Sequence, residues 1–365
     1  MGEPLKYMYN KQFFDFLCVE MKRILPDFEV ELFNKTIYIQ QWDSLELKER
    51  MYHVTKVLHG FLPEGFENAV PIILQLVSNL KHSKNISFGY MFVADYIEQY
   101  GIDQLNISIN AMEEITQFMS CEFAVRPFII RYPEVLMKQM LLWSKHEHEY
   151  VRRFSSEGCR PRLPWAMALP ELKKDPSPIL PILENLKNDS SEFVRKSVAN
   201  NLNDITKDNP EIAIEIFKRW YGESQNTNWI VKHASRTLLK QGNPELMQLF
   251  GFGSLNDFKV EDFKIINNKI SIGDSLEFSF KLKNKSKQAQ KVRLEYAIYY
   301  QKANGTLSKK VYMISEKEYA ESSTTNIVRK QAFKPITTRK FHLGLHQVAL
   351  VLNGVEGEAN SFHLV

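Results

Sequence analysis

Two periodicities divide the chain. Up to about residue 250 the apolar positions recur every three or four residues, the spacing that keeps one face of an α-helix apolar. Leu45, Leu47, Met51, Val54, Val57 and Leu58 form one such stripe, with Ser44 as its predicted cap. Comparable stripes run through residues 66–80, 86–100, 107–119, 134–143, 192–205, 210–220 and 229–239. Turns rich in Pro, Gly, Asn or Asp part them, as at Lys207-Asp208-Asn209-Pro210 and Gly242-Asn243-Pro244. Beyond Gly251-Phe252-Gly253 the period becomes two. Residues 274–284 alternate strictly, with Leu276, Phe278, Phe280 and Leu282 on one side. Residues 292–300, 310–314 and 341–352 follow the same style, and Asn304-Gly305 and Asn353-Gly354 mark hairpin turns. The pattern predicts an all-α region over residues 1–253 and an all-β sandwich over residues 254–365.

The helical part also repeats itself. Glu149-Tyr150-Val151-Arg152-Arg153 recurs 43 residues later as Glu192-Phe193-Val194-Arg195-Lys196, and a looser echo, Asn228-Trp229-Ile230-Val231-Lys232, follows after another 36. Such a period built from helices predicts HEAT-like repeats stacked into a solenoid. The aromatic–aliphatic pair is expected to fill the shared core. The basic residues are not needed for packing; they are expected to line one side of the solenoid, the concave one in many such arrays, where they suit a nucleic-acid backbone.

Composition narrows the class. A chain of 365 residues, 44% hydrophobic and 25% charged, has room for two folded domains and is not disordered overall. No run of apolar residues is long enough to span a membrane, and the N-terminus lacks the basic and apolar regions of a secretory signal. Cys18, Cys121 and Cys159 are too few and too far apart for a disulfide framework or a zinc site, and fit a reducing, cytoplasmic setting. The net charge of +4 hides an asymmetry: residues 1–119 carry −6, residues 120–240 carry +4 and residues 255–365 carry +7. Either the two basic regions bind a polyanion together, or lysines guard the edges of a strand-rich domain.

The segment RRFSSEGCRPRLPWAMALP, residues 152–170, stands out. Pro161, Pro164 and Pro170 predict an ordered loop, and it gathers Glu157, Arg160, Arg162 and Trp165 within nine residues. The alternative is a rigid connector whose Trp165 plugs the core. Glu122 opens a strongly apolar helical run, CEFAVRPFIIRYP, and Asp204 lies in SVANNLNDI beside Leu202 and Ile205. Taken singly, each reads as a helix cap or a solvated carboxylate. His146-Glu147-His148 has its histidines two apart, the wrong spacing for one helix face, and reads as a solvated turn. Dinucleotide, P-loop and hydrolase-elbow motifs are absent.

The runs VRRFSSEGCRPRLPWA, SSEFVRKSVANNLNDITKDNP and NTNWIVKHASRTLLKQG resemble the AlkC branch of the AlkC/AlkD DNA glycosylases, over about residues 120–250. The strand-rich tail suits the form that carries a C-terminal immunoglobulin-like domain. The resemblance implies hydrolysis of the N-glycosidic bond of cationic alkylated bases, 3-methyladenine and 3-methylcytosine, without base flipping. It implies that Glu122, Glu157 and Asp204 are the active-site carboxylates and Trp165 the aromatic beside the lesion nucleotide, with no metal or cofactor. The partner implied is double-stranded DNA containing alkylated bases, bound by a monomer. Arg152, Arg153, Arg195, Lys196, Lys232 and Arg236 become phosphate-contact candidates. Arg160 and Arg162 either brace the loop or reach DNA, and a salt bridge to a neighbouring repeat is an equal alternative for Arg162.

The residue types suit that chemistry. An alkylated base is already cationic and departs without a general acid. The site must supply negative charge beside an oxocarbenium-like sugar and orient a water, which carboxylates do. An indole adds packing and cation–π attraction. Two rival readings remain at this stage: a non-catalytic HEAT-repeat scaffold, and a DNA-binding protein without chemistry.

Overall fold

The structure, a computed structural model, describes residues 3–81, 88–335 and 339–365. The start of the predicted 86–100 stripe, residues 86–87, lies outside them. The chain forms two compact units, Met1–Ala213 with Arg219–Ala234, and Ile214–Lys218 with Ser235–Val365.

The first unit is helical. At its start the side chain of Asn10 accepts the Phe13 N–H at 3.0 Å and caps helix Lys11–Ile24, which buries Phe13, Phe14, Leu17, Cys18 and Met21. The stripe after Ser44 does form a helix, Leu47–His59, but Ser44 ends a short 3₁₀ turn instead of capping it. The start is held at Glu46, whose N–H donates to the Glu49 carboxylate at 2.7 Å. Six helices frame the middle of the unit: Val125–Arg131, Pro133–Trp143, Glu149–Gly158, Leu180–Leu186, Glu192–Ile205 and Gln225–Ala234. Helix Glu192–Ile205 packs between Glu149–Gly158 and Gln225–Ala234, so the three echoes of the repeat lie on successive neighbours.

Two expectations need correction here. The predicted 229–239 stripe is interrupted at Ser235, between helices Gln225–Ala234 and Arg236–Lys240. The aromatic–aliphatic pair does not enter the core as a pair. Val151, Val194 and Ile230 are fully buried, whereas Tyr150, Phe193 and Trp229 remain exposed. One residue apart on a helix, two side chains point about 100° from each other, and only one can face inward.

The second unit carries eight strands among its described residues: β1 (Phe258–Ile265), β2 (Lys269–Ile270), β3 (Ser275–Asn284), β4 (Gln290–Gln301), β5 (Leu307–Tyr319), β6 (Thr324–Ala332), β7 (Gly344–Leu352) and β8 (Val355–Leu364). They form a three-stranded sheet, β1-β3-β6, and a five-stranded sheet, β2-β8-β7-β4-β5. All pairings are antiparallel except the short β2–β8 contact. The predicted alternation of β3 holds: Leu276, Phe278, Phe280 and Leu282 join Val292, Leu294, Ile298, Val348, Leu350 and Phe362 in one buried cluster that draws on both sheets. Strand β4 is buried on its other side too, where Arg293, Glu295 and Ala297 lie.

The β7–β8 turn also anchors the chain entering this unit. Asn353 Nδ2 donates to the Gly253 carbonyl at 2.9 Å, and Asn353 Oδ1 accepts the Arg293 N–H at 2.8 Å. Gly354 has φ +80°, and a Cβ there would fall 2.0 Å from Gly242 Cα, so only glycine fits.

His346 is fully buried in this unit, among Tyr300, Phe333 and Phe362. Its Nδ1 accepts the Gln301 N–H at 3.3 Å and its Nε2 donates to the His342 carbonyl at 3.0 Å, an arrangement that suits the neutral ring. Burial holds its pKa below the usual histidine value, against the opposing pull of the His342 and Tyr299 backbone. The unfolded chain therefore binds this proton first. The contribution is complete above about pH 6.5 and is lost as the pH falls from there towards the folded pKa. The urea midpoint of the full chain, followed by circular dichroism, should drop between pH 7.5 and pH 5.5. His346→Phe should make that drop smaller.

Candidate active site

The residues singled out from sequence come from three separate elements. Helix Glu149–Gly158 begins where the His148 ring accepts the Tyr150 N–H at 3.3 Å, so the predicted histidine turn also acts as a cap. The helix buries Val151, Phe154, Ser155 and Gly158, at the i, i+3, i+4 and i+7 positions of one face. Gly158 allows the close approach, since a Cβ there would meet Val125 Cγ1 at 2.8 Å. Glu157 therefore lies in the last turn of a helix and not in the predicted loop, which is confined to residues 159–169. The prolines act only after Gly158. Glu122 likewise precedes its helix, in the turn before Val125–Arg131, and Asp204 lies in the last turn of Glu192–Ile205.

These elements bring the three carboxylates into one chain of alternating charge. Arg153 Nη1 pairs with Glu122 and donates to Ser120 Oγ at 2.7 Å; Ser120 Oγ in turn donates to Glu122 at 2.8 Å. Arg153 Nη2 reaches Glu157 at 3.6 Å. Arg160 Nη1 donates to Glu157 at 2.6 Å and its Nε donates to Asp204 Oδ2 at 2.8 Å. Lys207 closes the chain on Asp204 Oδ1 at 2.9 Å. Glu157, Arg160 and Asp204 are 5%, 7% and 2% exposed, which buries the reading of Asp204 as a solvated carboxylate. Burial alone would lower the pKa of Arg160, but Glu157 and Asp204 outweigh it and raise it.

The loop carrying Trp165 is pinned from both sides. Leu163 and Leu169 are buried, and Arg126 donates to the Met167 carbonyl at 2.6 Å and the Gly158 carbonyl at 3.0 Å. Burial pushes the Arg126 pKa down to about 10. Lys48 Nζ donates to the Trp165 carbonyl and lies 4.7 Å from the Phe123 ring centroid. Trp165 itself has φ +67° and is 63% exposed, so it plugs no core. Its indole takes no part in the ion chain.

Glu122 also borders a small cavity of about 60 Å³ shared with Asp95 and Glu98. Burial raises the pKa of both of these carboxyls, that of Glu98 to about 7, with mutual repulsion adding at Glu98 and Lys48 opposing it.

The basic candidates divide. Arg153 and Arg160 belong to the ion chain. Arg152 holds Asp189 through Nε at 2.6 Å and Nη2 at 3.0 Å, and Arg195 donates to the carbonyls of Asp189 and Ser190 at 2.6 and 2.8 Å. Arg162 grips Asp208 with two bonds of 2.6 Å, the salt-bridge alternative raised from sequence. Lys196 is exposed; Lys232 and Arg236 are half-buried, Arg236 at the start of helix Arg236–Lys240 in the second unit. Sequence reasoning missed Ser120, Arg126 and Lys48. A charge at position 126, before a proline inside an apolar run, was a usable signal for one of them.

The family described as "DNA alkylation repair enzyme" matches residues 94–238, and that described as "Uncharacterised protein YhaZ, C-terminal Ig-like domain" matches residues 259–365. The chain is 42% identical over 360 residues to "Uncharacterized protein YhaZ" of Bacillus subtilis (strain 168), covering 99% of each. It is also similar to the solved structure of Pseudomonas fluorescens alkylpurine DNA glycosylase AlkC bound to DNA containing an abasic site analog. That likeness has a TM-score of 0.93 and 34% identity, and covers 100% of both chains.

The ion chain and the surface pairs should respond differently to loss of a cation. Arg160→Met removes the buried cation that Glu157 and Asp204 share, leaves them only Arg153 at 3.6 Å and the partly exposed Lys207, and should destabilise the protein by about 3 kcal/mol. Arg162→Met breaks a pair whose arginine side chain is 38% exposed and should cost only about 0–1 kcal/mol. Urea denaturation of the two variants checks the contrast.

Proposed function

The chain belongs to the AlkC-type DNA alkylation repair enzymes with a C-terminal Ig-like domain, and on that premise we propose that it frees cationic alkylated bases, 3-methyladenine and 3-methylcytosine, from double-stranded DNA without flipping them. It is a DNA glycosylase. One observation carries the finer reading: Glu122, Glu157 and Asp204, 82 residues apart at their extremes in the sequence, are joined through Arg153 and Arg160 into one preorganised group.

In this reading residues 1–253 form the glycosylase domain, a HEAT-like solenoid, and residues 254–365 an immunoglobulin-like sandwich. The protein works as a monomer in the cytoplasm on nucleoid DNA. Glu122, Glu157 and Asp204 place negative charge beside the sugar as the N-glycosidic bond opens, and one of them takes a proton from the attacking water. Arg153, at the more accessible end of the chain, is the cation that a DNA phosphate can draw off; that exchange leaves Glu122 and Glu157 facing the reacting sugar. Trp165 offers an exposed indole to the lesion nucleotide. Lys196, Arg152, Arg195, Lys232 and Arg236 position the backbone, Arg160 and Arg162 hold the carboxylates and the loop, and the basic immunoglobulin-like domain adds phosphate contacts.

Incubation with methylated duplex, with chromatographic identification of freed base, tests the activity. Glu157→Gln keeps the shape and removes the charge, and should slow single-turnover excision by about 10²–10³-fold while duplex affinity changes little. Lys196→Ala should weaken binding to damaged and undamaged duplex alike and leave the rate at saturating enzyme near that of the parent. If Glu157→Gln excises at the parental rate, Glu157 has no catalytic part. A parent that holds duplex but frees no base would be a DNA-binding protein only.

A further inference from the structure

Tyr150, Phe193 and Trp229 occupy the same position in the three repeats and leave their rings in solvent, 41%, 46% and 38% exposed. Packing does not account for this, because the neighbouring valines and isoleucine already fill the core. Tyr150 and Phe193 meet edge to face, with centroids 5.7 Å apart and planes at 77°, and so make a corner with open sides. The Arg153 guanidinium lies 4.9 Å from the Phe193 centroid. With Phe118 and the Ser120 hydroxyl these groups wall an open cleft of about 410 Å³. Trp229, stacked on His233 at 5.1 Å, continues the row on the next helix. Arg153 and Ser120 are also the residues that hold Glu122, so the cleft adjoins the accessible end of the ion chain.

We infer that this cleft is a stacking site for one unpaired nucleobase, a neighbour of the lesion displaced as the duplex deforms. The inference rests on the glycosylase reading above. Aromatic faces beside a guanidinium match a planar heteroaromatic ring: the rings stack on it, and the Arg153 cation beside Phe193 adds to the attraction. The cleft is also several times larger than the cavity beside Glu98, and has room for a base with its sugar. A displaced neighbour fits a reaction in which the lesion itself stays in the helix, because local unstacking is what exposes its sugar.

The test compares affinities, by fluorescence anisotropy, for duplexes carrying either a single bulged adenine or the same bulge without its base. The parent should prefer the adenine by about 5- to 150-fold, the range that base–aromatic stacking supplies. Tyr150→Leu with Phe193→Leu should erase that preference. Tyr150→Leu alone, which leaves Phe193 beside Arg153, should keep part of it, and Tyr150→Phe with Phe193→Tyr, which keeps both rings, should keep it all. Equal binding of the two bulges by the parent, or a preference that survives loss of both rings, overturns the site. Base release from methylated duplex, run alongside, separates the two readings. A parent that frees base yet ignores the bulged adenine loses only the stacking site. One that binds no duplex and frees no base loses both.

Discussion

A buried guanidinium governs the helical unit. Arg160 has almost no access to water, and a charge in that position is tolerable only with carboxylates at bonding distance. It has two, Glu157 three residues back and Asp204 from the next repeat, so the end of one helix is tied to the end of its neighbour. Arg153 and Lys207 then balance the far sides of the same acids. Glu157 and Asp204 thus each keep a second cation, and Arg160 is the one they share. A site built this way holds its charges in place before any substrate arrives, which is what electrostatic stabilisation of a short-lived cation requires. The stiffness is graded: the middle of the chain is sealed, while Glu122 and Arg153 keep 17% and 14% of their side-chain surface in water.

The scaffold around that chain serves mainly to hold two helix ends and one loop in register. Asn201 donates to the Ser156 carbonyl at 2.8 Å and Ser197 to the Ser156 hydroxyl at 3.0 Å, a polar seam between the two helices that carry Glu157 and Asp204. Gly158 lets the first of these helices press against Val125, and Arg126 reaches from that side to the loop. The repeat thus does two jobs with adjacent residues: Val151 and Val194 pack the solenoid, and the residues one and two steps along meet ions or solvent.

Much of this was legible in the chain. The switch of period near Gly253 marks the passage from helices to strands, because helix and strand periodicities cannot be confused over such lengths. Four strands, β1, β2, β6 and β8, escaped notice: β2 is only two residues long, and half-exposed or charged edges blur the alternation of the others. At the site, the three acids could be identified only through resemblance, since nothing in spacings of 35 and 47 residues marks a shared location. The partners of the other basic residues are hidden for the same reason. Arg152 and Arg195 read as phosphate-contact candidates, and in the structure they also pin Asp189 and nearby carbonyls; Arg162 takes the salt-bridge alternative on Asp208, and a pairing across repeats leaves no local trace of its partner. The prolines after Gly158 made the whole 152–170 segment look irregular, although a helix can run undisturbed up to the residue before such a break.

Trp165 holds a backbone conformation that its own side chain disfavours. A bulky residue in a left-handed backbone conformation costs on the order of 1–3 kcal/mol, and glycine or asparagine would relieve it. Laboratory evolution for heat tolerance alone, with no demand for activity, would therefore tend to replace this tryptophan early and be rewarded for doing so. Stability screens and repair screens on the same library would diverge at this position if the exposed indole serves the lesion nucleotide as proposed.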